Sequence, residues 1–392
     1  MKSQQFINHF IQTLNTILPA EPRPLSLHEP LFQDNEWKYV KHCLDSGWVS
    51  SAGQYVNEFE NKLEEFTGVK HAVAVVNGTA ALHLSLLIAG INAGDEVLVP
   101  ALTFIATVNA VSYLNAVPHF ADSCEYNLGL DVVKLNQYLN DTTQLTTEGC
   151  FNKNTGRRIK AVVPMHTFGH PVELDSMAAL CQKYKLVLIE DAAEALGSQY
   201  RGKYVGNHGA LSILSFNGNK IITTGGGGAI LTNDAETASL ARHLSTQAKL
   251  PHSWAFNHDR VGFNYRLPNL NAALGCAQLE HLSSFLKQKR SLADRYMEAF
   301  DGFEGLTIFR EPDYACSNYW LNVLLLDEEN VQLRDYLLDL THQQGIMTRP
   351  AWTLMHKLPM YMDCPRMDLS TAEILERRII NLPSSAFLAQ NI

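Results

Sequence analysis

Four stretches of this sequence carry side chains whose types and spacing can do chemistry. The first is Asn77-Gly78-Thr79-Ala80, which follows the apolar run 73–76 and opens a nearly all-apolar helical stretch, 80–89, closed by Gly90. A Gly-Thr turn at a helix start presents unpaired N–H groups and the positive end of the helix dipole, together a seat for phosphate. The plainer alternative is that Thr79 only caps a buried helix. The second is 185–194, where an apolar strand runs into Glu190 and Asp191, with Glu194 one turn on. A carboxylate at such a strand end can pair with a pyridinium nitrogen and keep it protonated, making the ring an electron sink. It can equally bind a metal or be no more than the polar end of a strand. The third is Lys220, placed between the apolar stretch 211–216, which ends in Ser215-Phe216, and four consecutive glycines, 225–228. Glycines permit close backbone approach, and apolar flanks can desolvate an amine toward Schiff-base chemistry. The signature G-x-x-x-x-G-K-[ST] is absent, so this is not a P-loop. The fourth, Gly262-Phe-Asn264-Tyr-Arg266-Leu-Pro-Asn269, reads by itself only as a polar turn before a helix.

Short apolar runs at 71–76, 96–100, 118–121, 159–164, 186–189 and 211–216 are strand candidates, with helical patterns at 80–89, 132–139 and 174–184 between several of them. That alternation predicts an α/β fold with a mostly parallel sheet. Ligands then bind beyond the carboxyl ends of the strands, where the first three stretches fall. A second region starts near residue 260: helical patterns over 269–300, a strand at 320–326, a helix near 331–343 and a closing helix at 372–380. The reading is a large α/β domain over 1–260, with a helical extension at 1–25, and a smaller α+β domain over 261–392. In the extension, Phe6, Ile7, Phe10, Ile11, Leu14, Ile17 and Leu18 recur at helical spacing with polar residues between them. This predicts an amphipathic helix docked on the body, not a signal peptide or a membrane anchor.

The chain of 392 residues is 46% hydrophobic and 18% charged, the balance of a globular protein able to bury a substantial core. A formal net charge of −9 argues against nucleic acid as a partner, which requires a basic face. Seven scattered cysteines without a C-x-x-C pair fit neither a disulfide framework nor a zinc knuckle, so a reducing, cytoplasmic setting is expected. No run of about 20 apolar residues predicts a membrane span. His166 and His170 stand at i, i+4, but Phe168-Gly169 and Pro171 break the helix that would aim both at one metal ion, so no metal is expected.

Taken together, a phosphate seat, a strand-end aspartate and a following lysine suit one cofactor, pyridoxal phosphate. Here the sequence resembles the fold-type I pyridoxal-phosphate-dependent sugar aminotransferases, the DegT/DnrJ/StrS group. The resemblance runs from Asp45-Ser-Gly-Trp48-Val-Ser-Ser-Ala-Gly53 to Asn381-Leu-Pro383-Ser-Ser. It implies that Lys220 is the cofactor-bearing lysine and that Asp191 partners the pyridine nitrogen. By the same resemblance Gly78, Thr79, Ala80 and Ser215 are placed at the phosphate, Phe104 on the cofactor ring, and Glu194 beside cofactor and substrate. Asn264 matches an asparagine that family members lend to the phosphate across a dimer interface, which implies a homodimer with shared sites. Trp48, His166, Glu194, Arg349 and His356 occupy positions typical of sugar contacts. Two departures stand out: Thr224-Gly225-Gly226-Gly227-Gly228 lacks the glutamate often found after the lysine, and Glu194 replaces the usual His, Gln or Asn. Both, with Arg349-Pro-Ala-Trp352-Thr-Leu-Met-His356, resemble the subgroup that makes 4-amino-4,6-dideoxy-N-acetylhexosamines on UDP. Amination of a nucleotide-linked keto-sugar with glutamate as donor is therefore expected. The rivals are a same-fold dehydratase, which generally has His at the lysine position, and a non-catalytic ligand-binding regulator. A nicotinamide enzyme would need a G-x-G-x-x-G that is missing.

Overall fold

The computed structural model describes residues 2–21 and 23–389. Helices α1 (Lys2–Ile17), α2 (Glu36–Ser46) and α3 (Gln54–Thr67) precede the sheet. Seven strands then form its spine: β1 (His71–Val75), β2 (Glu96–Pro100), β3 (Val117–Ala121), β4 (Arg158–Val162), β5 (Val187–Asp191), β6 (Leu211–Ser215) and β7 (Gly228–Thr232). Their spatial order is β1-β7-β6-β5-β4-β2-β3, and a hairpin of Thr143–Leu145 and Cys150–Asn152 on β4 brings the sheet to nine strands. From β6 across to β3 all neighbours are parallel. Strand β7 lies antiparallel between β6 and β1, so β1 points the same way as β6. The carboxyl ends of β1, β2, β5 and β6 therefore share one edge of the sheet.

Parallel neighbours require crossovers, and these are the helices α4 (Gly78–Ile88), α5 (Ile105–Tyr113), α6 (Val132–Thr142) and α7 (Leu174–Tyr184); α8 (Ala235–Ser245) follows β7. With both sheet faces covered, β2 is buried at every residue and β7 likewise, whereas β4 alternates, its Arg158 and Lys160 only half-buried. Helix α4 stops where expected: Gly90, at φ 76°, donates to the Leu87 carbonyl while Ile91 reaches back to Leu86.

The second body begins with α9 (Asn269–Ala299), one continuous helix of 31 residues. An antiparallel sheet follows, with order β8 (Leu306–Ile308), β9 (Asn322–Leu326), β11 (Ile379–Leu382), β10 (Arg349–Pro350). Flanking it are α10 (Arg334–Gln343) and α11 (Ser370–Arg378). The helix expected over 331–343 is divided: a 3-10 turn, Glu328–Leu333, leads into α10.

Packing does not follow the division at 260. The first half of α9 buries Ala272, Cys276 and Phe285 with Phe59 of α3. Its second half buries Leu292 and Tyr296 with Phe10 and Leu14 of α1 and Leu324 of β9. Helix α1 is amphipathic as its spacing predicts, but its apolar stripe docks on the second body and not on the large sheet. Burying each such large side chain is worth roughly 1.5–3 kcal/mol, so the choice is set by where a matching groove exists and not by order along the chain. All seven cysteines are free, and among the described residues no helix is long and apolar enough to cross a membrane.

Candidate active site

The shared strand edge, the starts of α4 and α5, and two tryptophans from the second body enclose a cavity of about 270 Å3. At its floor is the turn after β1. Asn77, in extended conformation, caps α4 by accepting from the Ala80 N–H at 2.7 Å, and its carbonyl takes the Ala81 N–H. The cap is therefore Asn77 and not Thr79, whose side chain is left to line the cavity. The amides of Gly78 and Thr79 have no partner among the described residues and sit at the positive end of α4. This corrects one expectation: the Ala80 N–H is already spent on Asn77. Two glycines allow the floor to close. A Cβ on Gly228 would stand 2.5 Å from the Asn77 carbonyl carbon, and one on Gly78 would stand 3.0 Å from Cβ of Ser215.

Lys220 lies in a loop pinched at its base, where Phe216 N–H donates to Gly227 O and Thr224 N–H to Phe216 O. Ile221 and Ile222 anchor the loop in the core, and the lysine side chain is only 12% exposed. Its Nζ stands 3.4 Å from Glu194 Oε1 and 4.1 Å from the centre of the Trp320 ring. Asp191, at the end of β5, is buried with Oδ2 accepting from Thr107 Oγ1 at 2.6 Å and Oδ1 from the Ala193 N–H at 3.1 Å. Burial pushes its carboxyl above the ordinary aspartate range, although the Thr107 and Ala193 hydrogen bonds and Lys220 favour the charged form. Glu194 accepts from the Phe168 N–H at 2.9 Å. Burial lifts its carboxyl to about 7 against the pull of Lys220. Near neutrality the Glu194 carboxyl is therefore divided between its protonated and ionised forms.

The cavity brings together Gly78, Thr79, Phe104, Asp191, Glu194, Ser215 and Lys220. Phe104, the residue before α5, is 47% exposed and meets Trp352 edge-on at 6.2 Å, while Trp352 stacks on Phe168 at 4.9 Å. Other expected residues lie elsewhere. His166 is a correction: it is fully buried, its Nδ1 accepting from the Val172 N–H and its Nε2 facing Glu190 Oε2 at 3.3 Å, so no sugar reaches it. Trp48 lines a separate concavity with Tyr55 and Asn269. Arg349 is exposed on β10 with its guanidinium 3.1 Å from His342. His356 is buried, with Nε2 3.4 Å from Glu373 Oε1. Asn264 is exposed and does not line the cavity of its own chain.

Sequence reasoning missed Thr107, Trp320 and Asn219, the last accepting the Trp320 indole N–H through its carbonyl at 2.8 Å. Thr107 had a local signal, one helical turn beyond Phe104; Trp320 had none, since it read as the first residue of an apolar strand.

A family model described as the DegT/DnrJ/EryC1/StrS aminotransferase family matches residues 30–391. The chain belongs to that family. Among this aminotransferase's relatives, a GDP-perosamine synthase of Escherichia coli O157:H7 is 40% identical over 362 residues, covering 92% of this chain and 93% of that protein. A GDP-perosamine synthase of Vibrio cholerae is 37% identical, covering 92% and 94%. In structure the aminotransferase is similar to Helicobacter pylori PseC, an aminotransferase involved in the biosynthesis of pseudoaminic acid, with a TM-score of 0.84 at 26% identity, over 94% of this chain and 96% of that one. The fold is accordingly fold-type I, and the protein is a pyridoxal-phosphate-dependent sugar-nucleotide aminotransferase. The residues present fit that cofactor: free amides at a helix start suit its phosphate, a buried carboxylate that no cation pairs with among the described residues suits a protonated ring nitrogen, and a sheltered amine lines the same cavity.

Proposed function

We propose that the protein aminates C4 of a GDP-linked 4-keto-6-deoxyhexose in the cytoplasm, with glutamate as amino donor. The observation that carries the site assignment is the meeting of Lys220, Asp191 and Glu194 above two unpaired helix-start amides. The nucleotide half departs from the UDP-linked N-acetylhexosamine expected from the sequence. What supports GDP is that two relatives at 40% and 37% identity are named for GDP-perosamine, a 4-amino-4,6-dideoxyhexose.

Bound in the cavity, pyridoxal phosphate supplies a protonated pyridine ring that accepts the electron pair left when a proton leaves the carbon bearing nitrogen. Lys220 would hold the cofactor, and its Nζ, when free, would take that proton and return it as general base and acid. Asp191 would keep the ring nitrogen protonated, and the hydrogen bonds from Thr107 and the Ala193 N–H favour its ionised form. Gly78, Thr79 and Ser215 would hold the phosphate, Phe104 would pack on the ring, and Glu194, protonated or not, sets the hydrogen bonding around Lys220. A second copy of the chain would lend Asn264 to the phosphate, and Trp48 and Arg349 would contact the sugar nucleotide from outside the cavity, whereas the buried His356 is left to Glu373. In support, Asn264 is solvent-exposed away from its own site, and Trp48, Trp254, Phe256 and Val261 are large apolar groups left uncovered on the single chain.

The test is to offer the purified protein, with pyridoxal phosphate and glutamate, a panel of GDP-, UDP- and dTDP-linked 4-keto-6-deoxy sugars, locating the new nitrogen by NMR. Amination of the GDP sugar at C4 is expected. Reaction with free keto acids alone would end the sugar-nucleotide reading, and unchanged turnover by Lys220→Ala would end the assignment of the lysine. Asn264→Ala is expected to weaken cofactor binding in a particle that light scattering sizes as a dimer.

A further inference from the structure

One buried amine in the interior has no part in the reaction described above. Lys289, on α9, is 1% exposed, and no carboxylate pairs with it among the described residues. Lysine is almost never fully buried without a partner, because an ammonium taken out of water is costly and does not stabilise the fold. Burial accordingly holds this amine well below the ordinary lysine range. The titratable group beside it, His28, is pushed well below the ordinary histidine range, chiefly by burial. What Lys289 does hold is specific. Its Nζ donates to the backbone carbonyl of Trp320 at 3.2 Å and to that of Ser384. Two of the amine's N–H donors are thus committed to two backbone carbonyls from separate segments.

Trp320 is one of the two tryptophans by which the second body lines the cavity. The same residue donates its backbone N–H to Asn318 Oδ1 at 2.8 Å, and Asn318 Nδ2 in turn donates to the carbonyls of Glu194 and Leu196. The indole N–H donates to Asn219 O, beside Lys220, and the indole face lies 4.1 Å from the Lys220 amine. A line of contacts thus runs from α9 through one tryptophan to the reacting nitrogen.

We propose that Lys289 is a positioning residue for the reaction: by clamping the Trp320 carbonyl to that of Ser384, it fixes the indole that holds the Lys220 amine and the Asn219 carbonyl in place. This rests on Lys220 being the cofactor lysine, so the experiment separates the two ideas. Borohydride reduction and peptide mapping are carried out first on wild type and on Lys289→Met; an adduct on Lys220 in both leaves the lysine assignment standing. The visible circular dichroism of the bound cofactor, which reports how rigidly the site holds it, is then compared with kcat, KM and Tm. Lys289→Met is expected to weaken the visible band and lower kcat by about ten- to a hundredfold with little change in KM, the cost of misplacing a reacting group by a fraction of an ångström to about an ångström. Lys289→Gln, which keeps two N–H donors on a side chain one bond shorter, is expected to recover most of both signals. A folded Lys289→Met with the wild-type band and kcat would overturn the proposal, as would Met and Gln variants that behave alike. Should Lys289→Met fail to fold, Lys289→Asn, whose amide sits two bonds short of spanning both carbonyls, and Trp320→Phe, singly and combined, complete the test. Losses that overlap in the double variant support the line through Trp320, and losses that multiply independently refute it.

Discussion

Replacing Thr107 by valine removes one hydroxyl and leaves the shape of the side chain almost unchanged. In the structure that hydroxyl donates to Asp191 Oδ2 at 2.6 Å, and both residues are buried. A hydrogen bond to a charged group is worth about 1.5–3 kcal/mol, and its loss leaves a buried carboxylate oxygen without a partner. At about 1.4 kcal/mol per factor of ten, the ionised form of Asp191 becomes roughly ten- to a hundredfold scarcer relative to the neutral form. The sign follows from the causes already acting on this group. Burial raises the Asp191 carboxyl and Thr107 opposes that rise, so the variant is raised further, and the acid limb of kcat/KM moves to higher pH. The apoprotein carries a second signature. The lost bond favours the ionised form, so the stability gap between wild type and variant is widest where Asp191 is charged and narrows as pH falls. Steady-state pH profiles and thermal melts over the same buffers measure both, with Thr107→Ser expected to resemble wild type. An acid limb that stays in place would show that Thr107 does not govern Asp191.

Three further outcomes follow from the same geometry. Glu194 is held at about 7, above its usual 4.5, so its stabilising contribution is complete below pH 4.5 and lost as pH rises through 7. At 1.36 kcal/mol per unit this is about 3 kcal/mol, and melts of the apoprotein should show Glu194→Gln gaining on wild type across that window and holding level above it. Glu190 is the opposite case: burial alone would raise it, but His166, His208 and the amides of the turn around Gly206 bring it to about 2. Its contribution is present above pH 4.5 and lost as pH falls through 2, so the stability deficit of Glu190→Gln should be about 3 kcal/mol at neutral pH and close in acid; a deficit independent of pH would contradict this. Gly228→Ala forces a Cβ against the Asn77 carbonyl carbon; an overpacking cost of about 1–3 kcal/mol at the cofactor floor should weaken pyridoxal phosphate binding by roughly ten- to a hundredfold in equilibrium dialysis.

The parts of the site legible in the sequence were those whose chemistry is local. Gly78, Asp191 and Lys220 each announce themselves by what immediately precedes them, a buried strand that ends in a polar or glycine-rich turn, and parallel strands deliver such ends to one edge of the sheet. Side chains that arrive from far along the chain were not legible. Trp320 reaches Lys220 across a hundred residues of intervening chain, and nothing in its own neighbourhood distinguishes it from a core residue. His166 failed for a different reason: a histidine near a strand end suits a ligand contact, but only the fold shows that Glu190 and Val172 already occupy both of its nitrogens. The docking of α1 was foreseen as a face and not as a partner, because periodicity reports which side is apolar and is silent on what meets it.

Helix α9 is rooted at one end beneath the large sheet and at the other among α1 and the antiparallel strands. A cut in the connecting loop before it would not release two working halves: the first fragment would keep an open apolar trench along α3, and the second would carry a bare rod with nothing to lie against. Complementation by co-expressed fragments, or transplantation of the C-terminal body between relatives, should therefore succeed only when the helix travels with the surface it was shaped to cover.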